Sequence, residues 1–395
     1  MRMAFTLIGG KNWTGGSNYL LNLFKVLAQY QIGRLTPVLF VSDNNERMEL
    51  APFETIPGVD IVPTPHLSSR TRKIALGQAL LWGRDGNLVQ LFRNHRIDIV
   101  FESAQFFGWR LGLPAIAWIP DFQHRIMPRM FSLADWSKRE IGFRAQVWGN
   151  RFIMVSSADA RHDCEQNYPA TRGRTRVVHF AVSTDPPVDP REARRIARSY
   201  DLPERFFYMP NQFWRHKNHA VVIEALAMLR RRGVPLVVAA SGNPKDPRNP
   251  GHFTRLKALV AQYGIEDDFR FLGLIPFAHL TALMRTCTAL LNPSLFEGWS
   301  TTVEEARSMG TPMLLSDIDV HREQMGARAT YFNPHSSASL ADALLCFPDL
   351  DEIRREQLFD EARLATHLRL KQFGEDFVSL AETVCRRSAM RRTGL

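Results

Sequence analysis

Short apolar runs recur along the chain, and between them apolar residues return every three or four positions. The runs suit strands buried on both faces and the longer period suits amphipathic helices; their alternation predicts α/β units around parallel sheets. In the N-terminal half the expected strands are Met3–Ile8, Pro37–Val41, Asp98–Phe101, Ala115–Ile119, Arg151–Ser156 and Arg176–Ala181. Gly9-Gly10 and Gly15-Gly16 follow the first of them, ahead of a helix striped by Leu20, Leu23, Phe24 and Leu27. The Pro- and Asp-rich stretch Val182–Pro190 reads as a linker. A second series then opens with a strand at Phe206–Met209 and a helix striped by Val222, Ala225, Leu226 and Leu229. It continues with strands at Leu236–Ala240, Phe269–Leu272, Ala289–Leu291, Met313–Ser316 and Thr330–Phe332.

The expected organisation is two doubly wound domains, 1–185 and 201–365, facing each other across a ligand-binding cleft. A linker at 186–200 joins them, and a C-terminal helix and basic tail at 366–395 packs back on the first domain.

Composition narrows the function classes. With 45% hydrophobic residues the chain has ample material for folded cores, so a disordered protein is excluded. Fifty Lys and Arg against forty Asp and Glu give a net charge of +10, which calls for an anionic partner: nucleic acid, an acidic membrane surface or a phosphorylated small molecule. Cys164, Cys287, Cys346 and Cys385 are widely spaced and read as reduced, mostly buried thiols of a cytoplasmic protein. No HExxH or Cys/His cluster marks a metal site, and no apolar run is long enough for a membrane span. The N-terminus MRMAFTLIGG has too short an apolar stretch for a signal peptide, so the protein is expected to stay where it is made.

Chemistry concentrates in Asn292–Asp317, NPSLFEGWSTTVEEARSMGTPMLLSD. A strand ends at Asn292, a loop carries Glu297, Gly298 and Trp299, and a helix begins near Ser300 or Thr301. Ser300, Thr301 and Thr302 suit its cap, whose free N–H groups and dipole favour an anion, and Gly298 permits close approach of a ligand. Glu297 and Glu305 can face one site, where carboxylates suit hydroxyls and N–H groups suit phosphate. The same residues equally fit an ordinary capped helix with two solvated carboxylates. A second segment, Tyr208–His219 (YMPNQFWRHKNH), sets Arg215, His216 and Lys217 ahead of a helix, an arrangement suited to a diphosphate or to a plain basic turn.

These residues carry a resemblance. The stretch from Glu297 is similar to the signature of the retaining glycosyltransferases of family 4, which have the GT-B fold. Seven residues separate Glu297 from Glu305, and Glu305-Ala306 through Gly310-Thr311-Pro312 completes the pattern. The resemblance implies that Glu297 contacts the hydroxyls of the transferred sugar and Glu305 the ribose. It implies that Lys217, in Lys217-Asn218, grips the diphosphate. Many members carry an Arg where this sequence has Asn211, which leaves Arg215 as the alternative second cation. Leu274, in Leu272–Ile275, falls in the turn that reads the nucleotide base, and Glu323 matches an acidic residue common after Asp317. Gly15 and Gly16 resemble the family's glycine loop beside the donor phosphates, although a tight turn reads equally well. Asp121 aligns with the Asp of a family His-Asp pair, but Pro120 precedes it; His124 is the alternative histidine near the sugar, or an ordinary surface one.

Basic residues cluster at Arg70, Arg72 and Lys73, at Arg84, Arg93 and Arg96, and at Arg386, Arg387, Arg391 and Arg392, with Leu80, Leu81 and Trp82 near the first two groups. They read as solvated helix faces or as an attraction to anionic lipid or a lipid-linked acceptor, with Arg70 and Arg72 on the acceptor side. No nucleic-acid-binding module is legible, so nucleic acid is not the expected partner. The resemblance thus implies a cytoplasmic enzyme, perhaps better described as peripheral at the inner face of the membrane. It would move a sugar from a UDP- or GDP-activated donor to a glycan or lipid-linked acceptor, with no cofactor and no metal. A GT-B-fold nucleotide-sugar epimerase and a non-catalytic nucleotide-sugar-binding protein are the alternatives.

Overall fold

The computed structural model describes all residues except 8–13, 44, 46, 69–70, 72–76, 78, 80, 104–105, 185 and 394–395. Gly9, Gly10, Arg70, Arg72, Lys73 and Leu80 therefore lie outside the described residues. The chain divides into two compact units, Met1–Ala181 with Arg369–Leu395, and Val182–Leu368.

The first unit holds β1 (Arg2–Thr6), β2 (Thr36–Ser42), β3 (Asp60–Thr64), β4 (Ile99–Ser103), β5 (Ala115–Trp118), β6 (Phe152–Val155) and β7 (Thr175–Val177). They pair in parallel in the order β3-β2-β1-β4-β5-β6-β7. The inner strands are buried almost throughout, as a parallel sheet covered on both faces requires, and this is why their sequences read as continuous apolar runs. β3 was not expected. Its sequence DIVPT is polar, holds Pro63 and is only partly buried, all of which an edge strand tolerates.

The second unit repeats the plan with β8 (Phe206–Met209), β9 (Val237–Ser241), β10 (Phe269–Gly273), β11 (Ala289–Asn292), β12 (Met313–Ser316) and β13 (Thr330–Phe332). These pair in parallel in the order β10-β9-β8-β11-β12-β13. In both sheets the winding reverses beside the first strand, between β1 and β4 and between β8 and β11. The loops leaving the carboxyl ends of two such strands splay apart, and ligands of open α/β sheets bind in that crevice.

The expected helix stripes are buried: Leu20, Leu23, Phe24 and Leu27 on Thr14–Tyr30, and Val222, Ala225, Leu226 and Leu229 on His219–Arg231. Gly15 and Gly16 lie in the first turn of the former helix rather than ahead of it. The stretch read as a linker contains a helix, Pro190–Ser199, that packs Ala193 and Ile196 against Ala282 within the second unit. Asp189 caps it through the N–H groups of Arg191 and Glu192, and Pro190 occupies the first turn, where its missing N–H costs nothing.

The last helix, Glu352–Thr393, begins in the second unit and from Arg369 belongs to the first. There Phe377 is buried against Phe5 and Phe101, and Glu382 pairs with Arg34 at 2.9 Å. Gly310 of the Gly-Thr-Pro signature has φ +64, and a Cβ on it would overlap the Leu358 carbonyl of this helix. Both facts require glycine at that position. Of the cysteines, Cys164 and Cys287 are buried, whereas Cys346 is exposed and Cys385 intermediate.

Candidate active site in the second unit

Two loops at the winding reversal bring the chemistry together. The first leaves β8 and forms a single turn, Arg215–Lys217, before the helix His219–Arg231. The residue between them, Asn218, is left-handed at φ 57 and ψ 40. Gly and Asn are the residues that adopt this conformation readily, which gives a physical reason for Asn after Lys217. Asn218 also donates from Nδ2 to the carbonyls of Pro293, at 3.2 Å, and Pro334, at 2.8 Å, so it staples the first loop to the second.

The second loop leaves β11 and ends at the helix Thr301–Ser308. Asn292, buried at the strand end, organises it: Oδ1 accepts from Ser294 Oγ at 2.7 Å, and Nδ2 donates to Ser300 Oγ at 3.0 Å. Ser300 caps the helix by accepting from Val303 N, and its own N–H donates to Gln324 Oε1 at 3.2 Å. The N–H groups of Thr301 and Thr302 precede any acceptor in the helical ladder, so the dipole and two donors are presented together.

Where the loops meet, Lys217 Nζ donates to Glu297 Oε1 at 2.5 Å, and the side chains are 14% and 9% exposed. Burial alone would raise the Glu297 carboxyl, but the Lys217 charge and hydrogen bond, with His321 nearby, hold it at about 2. Glu305 is half-buried on the helix and has no hydrogen-bond partner for its carboxylate among the described residues. Burial pushes it up to about 7. The two signature carboxylates therefore differ near neutral pH, Glu297 being fully ionised and Glu305 poised to exchange a proton.

Burial pushes His216 and His219 down to about 3 and lowers His321 as well, so all three rings are neutral near pH 7. Lys217 supplies the buried positive charge. Arg215 is exposed on the same turn, and its backbone N–H donates to Asp246 Oδ2 at 3.4 Å. Asn211 is buried with its amide directed to Asn292 Oδ1 at 3.5 Å. Leu274 is exposed after β10, and Gly298, Trp299 and Thr301 lie on the loop and the helix start between Glu297 and Glu305. Glu323 is half-buried on the helix Asp319–Met325, beside buried His321 and Gln324.

Asn292, His321 and Gln324 were missed by the sequence reading. The signal for Asn292 was its position as the last residue of a buried strand, where a polar side chain has to find local partners. His321 donates from Nδ1 to the Ser316 carbonyl at 3.0 Å, and Ser316 Oγ donates to the Ser294 carbonyl at 2.6 Å. This chain ties β12 to the Glu297 loop.

The first-unit candidates are committed elsewhere. His124 is fully buried rather than a surface residue, with Nε2 at 3.2 Å from Glu140 Oε2. Glu140 also accepts from Tyr168 OH at 2.6 Å and pairs with Arg125 and Arg144. Burial opposes its charge, but these hydrogen bonds hold it at about 2. Asp121 accepts from Gln123 N at 2.9 Å and pairs with Arg139 at 3.1 Å.

Residues 191–363, which contain this whole constellation, match the family described as Glycosyl transferases group 1. The chain is 33% identical over 326 residues to the O-antigen chain mannosyltransferase RfbU of Salmonella typhimurium, covering 80% of this chain and 85% of that one. It is 28% identical over 240 residues to the serotype-specific mannosyltransferase WbdA of Escherichia coli, spanning 59% of this chain but a quarter of that one. Among solved structures, Anabaena HepE in complex with UDP and glucose aligns over 100% of both chains with TM-score 0.66 and 16% identity. WaaG, a glycosyltransferase involved in lipopolysaccharide biosynthesis, aligns over 97% of this chain and 98% of its own with TM-score 0.58 and 14% identity. With two parallel α/β sheets of this order and relatives of this extent, the chain belongs to the glycosyl transferases group 1 family, a family 4 glycosyltransferase of GT-B fold.

Proposed function

We propose that the protein is a retaining glycosyltransferase that moves a sugar from a UDP- or GDP-activated donor to a glycan or lipid-linked acceptor of cell-surface polysaccharide. The observation that carries this is the buried Lys217–Glu297 pair. An ammonium suited to phosphate oxygen and a carboxylate suited to sugar hydroxyls lie within one hydrogen bond of each other. A nucleotide-sugar presents those two groups on either side of a single anomeric C–O bond.

As that bond loosens, negative charge grows on the departing diphosphate. Lys217, the exposed Arg215 and the donors at the start of Thr301–Ser308 are suited to stabilise it, because they are fixed before the charge develops. Glu305, with its unpartnered carboxylate, suits the ribose hydroxyls. In a front-face route the leaving phosphate takes the acceptor proton, so the two glutamates need not act as the acid/base pair of a glycosidase. Mannose, the sugar in the names of RfbU and WbdA, is the first to test.

A panel of UDP-, GDP- and ADP-sugars, scored for donor hydrolysis and transfer and followed by the anomeric configuration of the product, tests the reading. Retention with a UDP- or GDP-sugar supports it. An inverted product refutes retention. Release of a free epimerised sugar without acceptor would favour the epimerase, and binding without turnover in the presence of acceptor the non-catalytic reading.

A further inference from the structure

Three of the chain's eight tryptophans stand on the surface of the first unit: Trp82 is 66% exposed, Trp109 42% and Trp148 72%. An indole ring in water is costly, so three on one unit need a reason. The fold gathers them. Gly83 and Gly108 cross in left-handed conformations at φ +80 and +100, and a Cβ on Gly108 would overlap the Gly83 carbonyl. A Cβ on Gly83 would lie 2.5 Å from Trp109 Nε1, and Arg110 N donates to Gly83 O at 2.7 Å. This crossing sets Trp82 beside Trp109.

Buried Arg151 fixes the third. It makes two hydrogen bonds to Glu102, at 2.9 and 3.0 Å, and donates to the carbonyls of Gly108 at 2.6 Å and Gly149 at 2.9 Å. Trp148 is thereby held near the other two, and Ala79, Phe106 and Ala145 pack together beneath. Leu81 and, one helical face along from Trp148, Ile141 are also exposed.

The charges around this patch have one sign. Arg84, Arg110 and Lys138 are exposed and make no ion pair among the described residues, while the adjacent Asp85 is buried as a helix cap. Indole rings with arginines at their edge form the composition of a surface that enters the headgroup layer of a bilayer, where ring and cation are both accommodated.

The geometry points to this Trp82–Trp109–Trp148 face as a docking surface for an anionic membrane. It deepens the lipid-linked part of the proposed function and gives that part a location other than the C-terminal tail. Binding has two additive parts, apolar insertion by the rings and attraction by the cations; the second is screened by salt and the first is not.

The test is co-sedimentation of the full chain with phosphatidylcholine vesicles, with and without phosphatidylglycerol. No sugar nucleotide is present, so the outcome is separate from donor chemistry. Partitioning should require phosphatidylglycerol. W82S with W148S, at two rings whose loss leaves no core cavity, should weaken it about 10-fold at any salt. R84E with R110E should weaken it at low salt and less at high salt. A chain ending at Cys385 should partition as the full chain does. Unchanged sedimentation of the tryptophan variant would overturn the proposal. So would a concentration-dependent dimer, without lipid, that W82S/W148S abolishes, since the occupant would then be a second copy. Circular dichroism matching the parent's establishes that the variants are folded.

Discussion

Replacing Lys217 by Ala leaves Glu297 in its buried place without its partner. In the native protein the Glu297 carboxyl stands at about 2 against an ordinary 4.5, which corresponds to about 3 kcal/mol of preference for the charged form at 1.36 kcal/mol per pH unit. A carboxyl whose value is depressed on folding contributes stability that is fully present above about 4.5. That contribution is lost as pH falls toward about 2. In Lys217→Ala burial acts alone and raises the carboxyl, so the variant should lose about 3 kcal/mol at pH 7 and much less at pH 3. Glu297→Gln should cost a similar amount, because it leaves the ammonium buried and unpaired. The double variant should cost less than the sum of the singles, with a coupling of about 3 kcal/mol. Urea denaturation of the four proteins at both pH values measures this, and initial rates with the best donor measure the chemistry. Each single variant should reduce transfer at least ~10-fold, as loss of a transition-state contact does. A coupling under about 0.5 kcal/mol would mean that the pair does not form, and near-normal turnover in both singles would sink the site assignment.

Three further outcomes follow from the same geometry. Glu305 is raised on folding to about 7, so its ionisation opposes folding increasingly as pH rises from about 4.5 through 7. Glu305→Gln should therefore raise stability at pH 8 and leave it unchanged at pH 4. If ribose hydroxyls donate to this carboxylate, nucleoside diphosphate binding by the parent should release a proton at pH 6 that the variant does not, measured by calorimetry in two buffers. Equal proton release in both proteins would place the ribose elsewhere. Asn218→Gly keeps the left-handed turn and loses two hydrogen bonds, at about 1 kcal/mol each, while Asn218→Val adds backbone strain of about 1–2 kcal/mol. The stability order should be Asn, Gly, Val, and a valine variant as stable as the glycine one would contradict the role given to φ at this position. Transfer should persist within about twofold in EDTA if Lys217 and the helix start neutralise the leaving group, and an absolute need for Mg²⁺ would refute that assignment.

Legibility in the sequence followed burial. Inner strands read as apolar runs because both faces are covered, and the core faces of two helices were visible at helical period. β3 escaped because an edge strand keeps polar residues and tolerates Pro63. The helix Pro190–Ser199 escaped because Asp-Pro was taken as linker chemistry when it was cap chemistry. His124 read as a surface residue because nothing nearby in sequence announces Glu140, sixteen positions away. Glu297, Glu305 and Lys217 were found because their spacing is local.

By itself, the sequence determined the two α/β series, the net positive charge, the Glu297–Glu305 spacing on one loop and helix, and the Lys217-Asn218 turn. These are local properties, set by period, propensity and short-range motif. Only the tertiary structure decided that Lys217 and Glu297, 80 residues apart, share a hydrogen bond, because the order β8-β11 is a property of sheet pairing. It also decided that Glu297 is ionised while Glu305 is near 7, since a carboxyl's proton depends on the burial and charges that distant segments bring to it. The gathering of Trp82, Trp109 and Trp148 has the same origin, in one buried arginine that joins two loops.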